Sequence, residues 1–394
     1  MRTTTVSKGL EVDLQLSQCW PALPSGKPSC PVSTAKLPLL IVEDDPFLRL
    51  VGVVLDPTTS PERYAAYADF FAHDDPDFDG YCARVRQRIG ALFPSRVRLV
   101  DTPGDLRANL PGARGVIVES LPVGPAELAI GGDLVAVQKY GVMTRNIDTA
   151  ACAARGINVL TFRRRANIAC AEVAITLMLT LAKKMHRLAG RISAEALAAD
   201  GYAYKPFDRR HTPNSNWGRV TGLRVLNDAT LGIIGLGEIG REIALRAAAF
   251  GMRILYYQRT RLPEAEERHL AASYVPLEQL LAQSDWIVPQ VPGGPSARHL
   301  LDRTRFAQMK PGACLVNISW ADLVDRAALI EALRSGRLGG FALDTQYEAP
   351  GRGDDELLGF KNVVLSPHIA AQPRFNALDD ISDLLAALAK EIVP

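Results

Sequence analysis

The sequence predicts an α/β protein built on parallel, doubly wound sheets, and three observations carry that prediction. Short apolar runs of strand length alternate with helix-length segments from about residue 38 onward, and such alternation builds parallel sheets covered by helices. Hydrophobic residues make up 47% of the 394-residue chain and charged residues 22%, the balance of an ordinary globular protein of two domains. A strand-like run at 229–234 leads through Gly235-Leu236-Gly237-Glu238-Ile239-Gly240 into an alanine-rich helical segment at 241–250, the order of a nucleotide-binding turn.

Taken in order, residues 1–37 are rich in Pro, Ser and Thr without sustained periodicity and read as an arm with little order of its own. Apolar runs at 39–43 and 50–55 predict strands, and 61–92 predicts mostly helix. Asp75-Pro76-Asp77-Phe78-Asp79-Gly80 imitates the start of a calcium loop, but the twelfth position is Arg86 where a bidentate glutamate is needed. An acidic loop capping the next helix is the better reading. Strands are expected at 97–100, 115–119 and 134–138, and one long apolar helix at 167–186. A polar stretch runs to about 227, followed by strands at 252–257, 286–289, 313–317, 340–344 and 363–366.

Each glycine of the motif has a distinct task. Gly235 permits the tight turn, Gly237 lets a pyrophosphate approach the backbone, and Gly240 lets helix pack on strand; Leu236, Glu238 and Ile239 complete the turn. The residue after the second strand, an acid in enzymes that bind the ribose 2′-hydroxyl of NAD, is Gln258. Loss of that carboxylate removes its repulsion for a 2′-phosphate, and Arg259, Thr260 and Arg261 offer charge and donors to it. NADP is therefore the expected cofactor, with NAD as the alternative.

A net charge of +2 and the lack of a basic helix give no case for nucleic acid. Six scattered cysteines with no CxxC spacing predict reduced thiols in a cytoplasmic enzyme, and no metal site is expected. The apolar stretch 169–182 contains Glu172 and is short for a bilayer span, so no membrane role is expected.

Further blocks follow one another in a specific order: Gln138-Lys139-Tyr140-Gly141-Val142 with Asn146-Ile147-Asp148, the glycine motif, Met309-Lys310-Pro311-Gly312-Ala313, Asn317 through Asp325, Ala342-Leu343-Asp344, and Ser366-Pro367-His368-Ile369-Ala370. From about residue 134 to 371 the chain resembles the D-isomer-specific 2-hydroxyacid dehydrogenase family, which includes formate and phosphite dehydrogenases. The resemblance implies two Rossmann-like doubly wound domains, with a cofactor domain (164–366) inserted in a discontinuous substrate domain (38–163 and 367–394). It also implies a cleft between them, a small-molecule substrate, and a homodimer built on the long helix. By the same resemblance His368 is the catalytic proton donor, Asp344 holds the nicotinamide carboxamide, and Val291, Pro292 and Ile318 flank the cofactor.

Four departures mark the substrate side. Trp320 stands where the family carries an arginine that clamps the substrate carboxylate, and an indole offers one N–H and no charge. Ala349 replaces the glutamate that orients the histidine, with Glu348 one residue away. Met143 and Arg145 replace a glycine and an acid in the loop that presents backbone amides to the substrate, and Arg164 lies in an Arg163-Arg164-Arg165 run before the long helix. Arg145 or one of these three could serve as a substitute anion anchor. The departures leave three readings: an NADP(H)-dependent oxidoreductase for a larger or aromatic substrate, a cofactor-dependent lyase on the same scaffold, or a catalytically silent dinucleotide sensor.

Overall fold

In the computed structural model the described residues are 37–202, 204–213 and 215–393, so the expected N-terminal arm, apart from its last residue, lies outside them, with Cys19 and Cys30. Two all-parallel sheets organise the chain. The first contains β1 (Leu39–Glu43), β2 (Arg96–Val100), β3 (Gly115–Val118), β4 (Ala136–Lys139) and β5 (Asn158–Leu160), in the order β2-β1-β3-β4-β5. The second contains β6 (Thr230–Ile234), β7 (Arg253–Tyr257), β8 (Ala272–Tyr274), β9 (Trp286–Pro289), β10 (Ala313–Asn317), β11 (Leu338–Leu343) and β12 (Val363–Leu365), in the order β12-β11-β10-β9-β6-β7-β8. β3, β4, β6, β9 and β10 are buried along their whole length, which is why they read as largely apolar runs rather than alternating ones, β4 excepted, which ends in the buried polar pair Gln138 and Lys139.

Residues 50–55, expected as a strand, belong instead to a helix, Arg49–Leu55, and all six are buried. An unbroken apolar run does not distinguish a buried strand from a buried helix. Here Asp45 decides the matter locally: its carboxylate accepts the backbone N–H of Phe47 (2.8 Å) and Leu48 (3.1 Å), turning the chain into the helix. Further along, Asp77 caps the helix Phe78–Ile89 by accepting from the N–H of Gly80 at 2.9 Å.

The long helix runs Arg165–Lys183 and stops at Lys184, whose φ of 55° is left-handed. By length and composition it could cross a membrane, yet half of its most apolar window is buried inside the protein, where Ala171, Ala174, Met178 and Ala182 join the core of the second sheet. The C-terminal helix Phe375–Ile392 returns to the first sheet, burying Ile381, Leu384, Leu385 and Leu388 with Leu40, Val42 and Ile117. The chain therefore passes between the two sheets near 161–165 and again near 366–374; Arg164, with Glu238 facing it, lies at the first crossing and His368 at the second.

Candidate active site

The glycine turn follows β6 at its boundary with β9, where the strand order reverses and a ligand crevice opens in folds of this type. Gly235 has φ of 97°, and a Cβ there would run into the carbonyl of Gln290; a Cβ on Gly240 would run into the carbonyl of Gly235. Gly237 is different: nothing lies within 4 Å of where its Cβ would be. The three positions thus combine a tight turn, open space and close packing, with the helix Glu238–Ala249 beginning at that space. Beside the turn, the side-chain nitrogen of Gln290 is buried without a hydrogen-bond partner. An open cradle, a helix N-terminus and an unused donor fit a dinucleotide phosphate.

Gln258 at the end of β7 stitches this turn, accepting from Leu236 N (3.2 Å) and donating to the Thr260 carbonyl (2.6 Å). The two neighbouring arginines differ. Arg261 is clamped by Glu267 through two bonds of 2.9 and 2.8 Å, and Tyr256 donates to the same carboxylate at 2.6 Å. The bonds from Arg261 and Tyr256 hold the Glu267 carboxyl down to about 2. Arg259 is exposed and has no side-chain partner among the described residues.

On the other side of the crevice, Asn317 shapes the loop after β10: its amide accepts from Ser319 N (2.9 Å) and donates to the Trp320 carbonyl (2.9 Å). Ile318 points into the core while Trp320 is 61% exposed. Its indole lies on Gly293, where an added Cβ would meet ring carbons at 2.7–2.8 Å. The Ser319 hydroxyl donates to the Val291 carbonyl (3.3 Å), so the Trp320 loop and the Val291-Pro292-Gly293 segment form one wall.

Asp344 is completely buried, and its carboxylate is committed within the chain. It accepts from the Ser366 hydroxyl (2.7 Å), Ile369 N (2.9 Å) and Ala370 N (2.8 Å), while its carbonyl accepts from His368 N (2.7 Å). These bonds make Asp344 the frame of the loop that carries His368. That residue has φ of 59°, a left-handed conformation held by the surrounding bonds. The imidazole is exposed with no side-chain partner among the described residues, and Glu348 and Ala349 are exposed as well. Behind this loop lies a cavity of about 820 Å³ lined by Gln346, Tyr347, Arg352 and Pro367 among others.

Glu238, expected at the cofactor, sends its side chain to the first sheet instead. Its carboxylate accepts from Val142 N (2.8 Å), Met143 N (3.1 Å) and the Asn167 amide (2.7 Å), with Arg164 Nε at 3.4 Å. Arg164 also lies 4.8 Å over the Tyr140 ring. Next to it, Lys139 is buried and donates to the Glu119 carbonyl; burial pushes its ammonium pKa down. The arginine run fans out to three partners. Arg163 binds Glu242, Arg164 faces Glu238, and Arg165 binds Asp380 (3.0 Å) and Asp383 (2.7 Å). Arg145 is exposed and Met143 half-buried. Among the described residues no group of three or more His, Cys, Asp or Glu side chains is arranged to hold a metal ion.

Comparison with known proteins agrees with this architecture. Residues 175–370 match the family model "D-isomer specific 2-hydroxyacid dehydrogenase, NAD binding domain". A glyoxylate reductase of Thermococcus gammatolerans is 38% identical over 250 residues, covering 64% of this chain and 70% of that protein. A Pyrococcus horikoshii structure superposes with a TM-score of 0.53 at 22% identity, covering 90% of this chain and 92% of its own. The apo D-mandelate dehydrogenase of Rhodotorula graminis superposes with a TM-score of 0.50 at 24% identity, covering 89% and 93%. At these identities the two structures speak for the fold alone. The chain belongs to the D-isomer-specific 2-hydroxyacid dehydrogenase family and is an NAD(P)-dependent oxidoreductase.

Proposed function

We propose that this oxidoreductase prefers NADPH and interconverts a larger or aromatic carbonyl compound and its alcohol, with His368 moving the proton. The single observation that carries the reading is the exposed Trp320 indole lying on Gly293, at the position where the family resemblance calls for a carboxylate-clamping arginine. An indole presents an apolar, polarizable face to an aromatic substrate and offers no charge to a small 2-oxoacid.

The cofactor, when bound, supplies or accepts the hydride. The residues of this chain do the rest. The glycine cradle and the start of the helix Glu238–Ala249 bind the pyrophosphate, and Arg259 meets the 2′-phosphate. In the reducing direction His368 delivers a proton to the carbonyl oxygen and is reprotonated from solvent; with the bound cofactor supplying the hydride to the carbonyl carbon, one carbonyl, one reduced cofactor and one proton would give one alcohol and one oxidised cofactor. Asp344 contributes by fixing the His368 loop. With Ala349 at the glutamate position, the imidazole works without a carboxylate partner. Buried free thiols at Cys82, Cys152, Cys170 and Cys314 support a place in the reducing cytoplasm.

The test is titration of the full-length protein with NADPH and NADH, followed by a screen of carbonyl compounds read by reduced-nicotinamide absorbance and by product mass. Oxidation of NADPH by aromatic carbonyl compounds is the expected result. A product formed with no change in nicotinamide absorbance would favour the lyase reading, and cofactor binding without any product would favour the sensor.

A further inference from the structure

After β4 the chain turns through Gly141, whose φ of 133° suits only glycine, and the next two N–H groups, from Val142 and Met143, converge on one point. Successive amides converging in this way form a concavity that binds an anion. That concavity is already filled. One carboxylate oxygen of Glu238 accepts from both amides, at 2.8 and 3.1 Å, and the other accepts from Asn167 at 2.7 Å with Arg164 3.4 Å away. A Cβ on Gly141 would collide with the same carboxylate, and the Glu238 side chain is only 12% exposed. Of the other cations near it in the chain, Lys139 donates to the Glu119 carbonyl and Arg145, on the same loop, is exposed. Across the crevice, the arginine position holds uncharged Trp320.

We infer that Glu238 is a specificity-determining residue that occupies the anion-accepting amides of Val142 and Met143, so that the substrate is an aldehyde or ketone bearing no carboxylate next to its carbonyl. This rests on the reading of the site as a carbonyl-reducing centre. A 2-oxoacid entering here meets a resident negative charge and loop amides that are already in use, which leaves exposed Arg145 as the cation this loop still offers. To bind at these amides it has to displace the Glu238 carboxylate, which then loses its bonds to Val142 N and Met143 N, and charge-assisted bonds of this kind are worth on the order of ten- to a hundredfold in affinity. A neutral carbonyl compound pays neither cost.

The experiment compares wild type, Glu238→Gln and Glu238→Ala, each shown to be folded by circular dichroism and to bind NADPH by fluorescence titration. Calorimetry on the NADPH complexes measures oxamate, a small carboxylate that is not reduced, and turnover is compared for phenylglyoxal and phenylglyoxylate. Wild type is expected to bind oxamate only weakly and to favour phenylglyoxal. Glu238→Ala, which empties the concavity, is expected to gain about tenfold or more in oxamate affinity, and Glu238→Gln, which keeps the plug without its charge, a smaller gain. Tight oxamate binding by wild type, preference for phenylglyoxylate, or no gain in folded Glu238→Ala overturns the inference. If Glu238→Ala does not fold, wild type and Glu238→Gln decide: weak oxamate binding by wild type with a gain in Glu238→Gln supports it, and any other pattern overturns it. The oxamate arm requires no turnover, so failure of NADPH oxidation with every carbonyl compound counts against the proposed reaction and leaves the role of Glu238 to be read separately.

Discussion

His368 and Arg259, exposed, without side-chain partners among the described residues and placed next to shaped backbone, give the clearest functional consequences. Replacing His368 with Asn removes the proton donor while leaving the loop framed by Asp344. Turnover is expected to fall about a hundred- to ten-thousandfold with NADPH affinity nearly unchanged, measured by steady-state kinetics and fluorescence titration. Arg261 is spent on Glu267, whereas Arg259 has no side-chain partner among the described residues. Arg259→Ala should therefore cost about ten- to a hundredfold in NADPH affinity with little effect on NADH, and Arg261→Ala distinctly less. The roles of Gly235, Gly237 and Gly240 were legible in the sequence, because the motif states what the backbone must do. The partners of Glu238 were not, because Val142 and Met143 lie 96 and 95 positions away and only the fold brings them together. The one available signal was an acidic side chain at the start of a phosphate-binding helix, where it opposes the ligand.

At the scale of elements, buried ionic anchors hold the crossings and the strand ends. Asp380 of the C-terminal helix is fully buried and accepts both the backbone N–H and the guanidinium of Arg165, tying that helix to the first turn of the long one. Asp380→Ala leaves this N–H without its acceptor and is expected to destabilise the protein by about 1–3 kcal/mol in denaturant unfolding. Glu267 locks the end of β7 to the helix Glu264–His269, and its folded pKa of about 2 lies below the usual glutamate value. A lowered acid pKa contributes stability that is complete above the unfolded value and is lost as pH falls toward the folded one. The difference in melting temperature between wild type and Glu267→Gln should accordingly be full at neutral pH and shrink as pH falls from about 4 toward 2. Most strand positions in the second sheet were legible because they are short apolar runs bounded by turn residues; β8, only three residues with Ser273 at its centre, was missed. The helix Arg49–Leu55 was misread because its six buried positions give no periodicity, and the deciding contact is a single side chain, Asp45.

For the whole molecule, the two parallel sheets follow from the alternation of apolar runs and helices, while the route of the chain between them is seen only once the arginine run and the C-terminal helix are placed. Met185, Ile192, Tyr204, Leu223 and Val225 expose apolar surface between the long helix and β6, with Ile192 87% exposed. Exposed apolar groups concentrated in one connecting segment are what a subunit contact would cover. The protein is therefore expected to sediment as a homodimer, and Ile192→Asp combined with Val225→Asp to shift it toward monomer in analytical ultracentrifugation.

The most direct measurement is the rate of reduced-nicotinamide oxidation by the full-length protein, with NADPH and NADH each paired against phenylglyoxal and glyoxylate. The proposed chemistry requires turnover of phenylglyoxal with NADPH, a marked loss of that rate in His368→Asn, and negligible turnover of glyoxylate. Efficient glyoxylate reduction, with equal use of both cofactors, would contradict it.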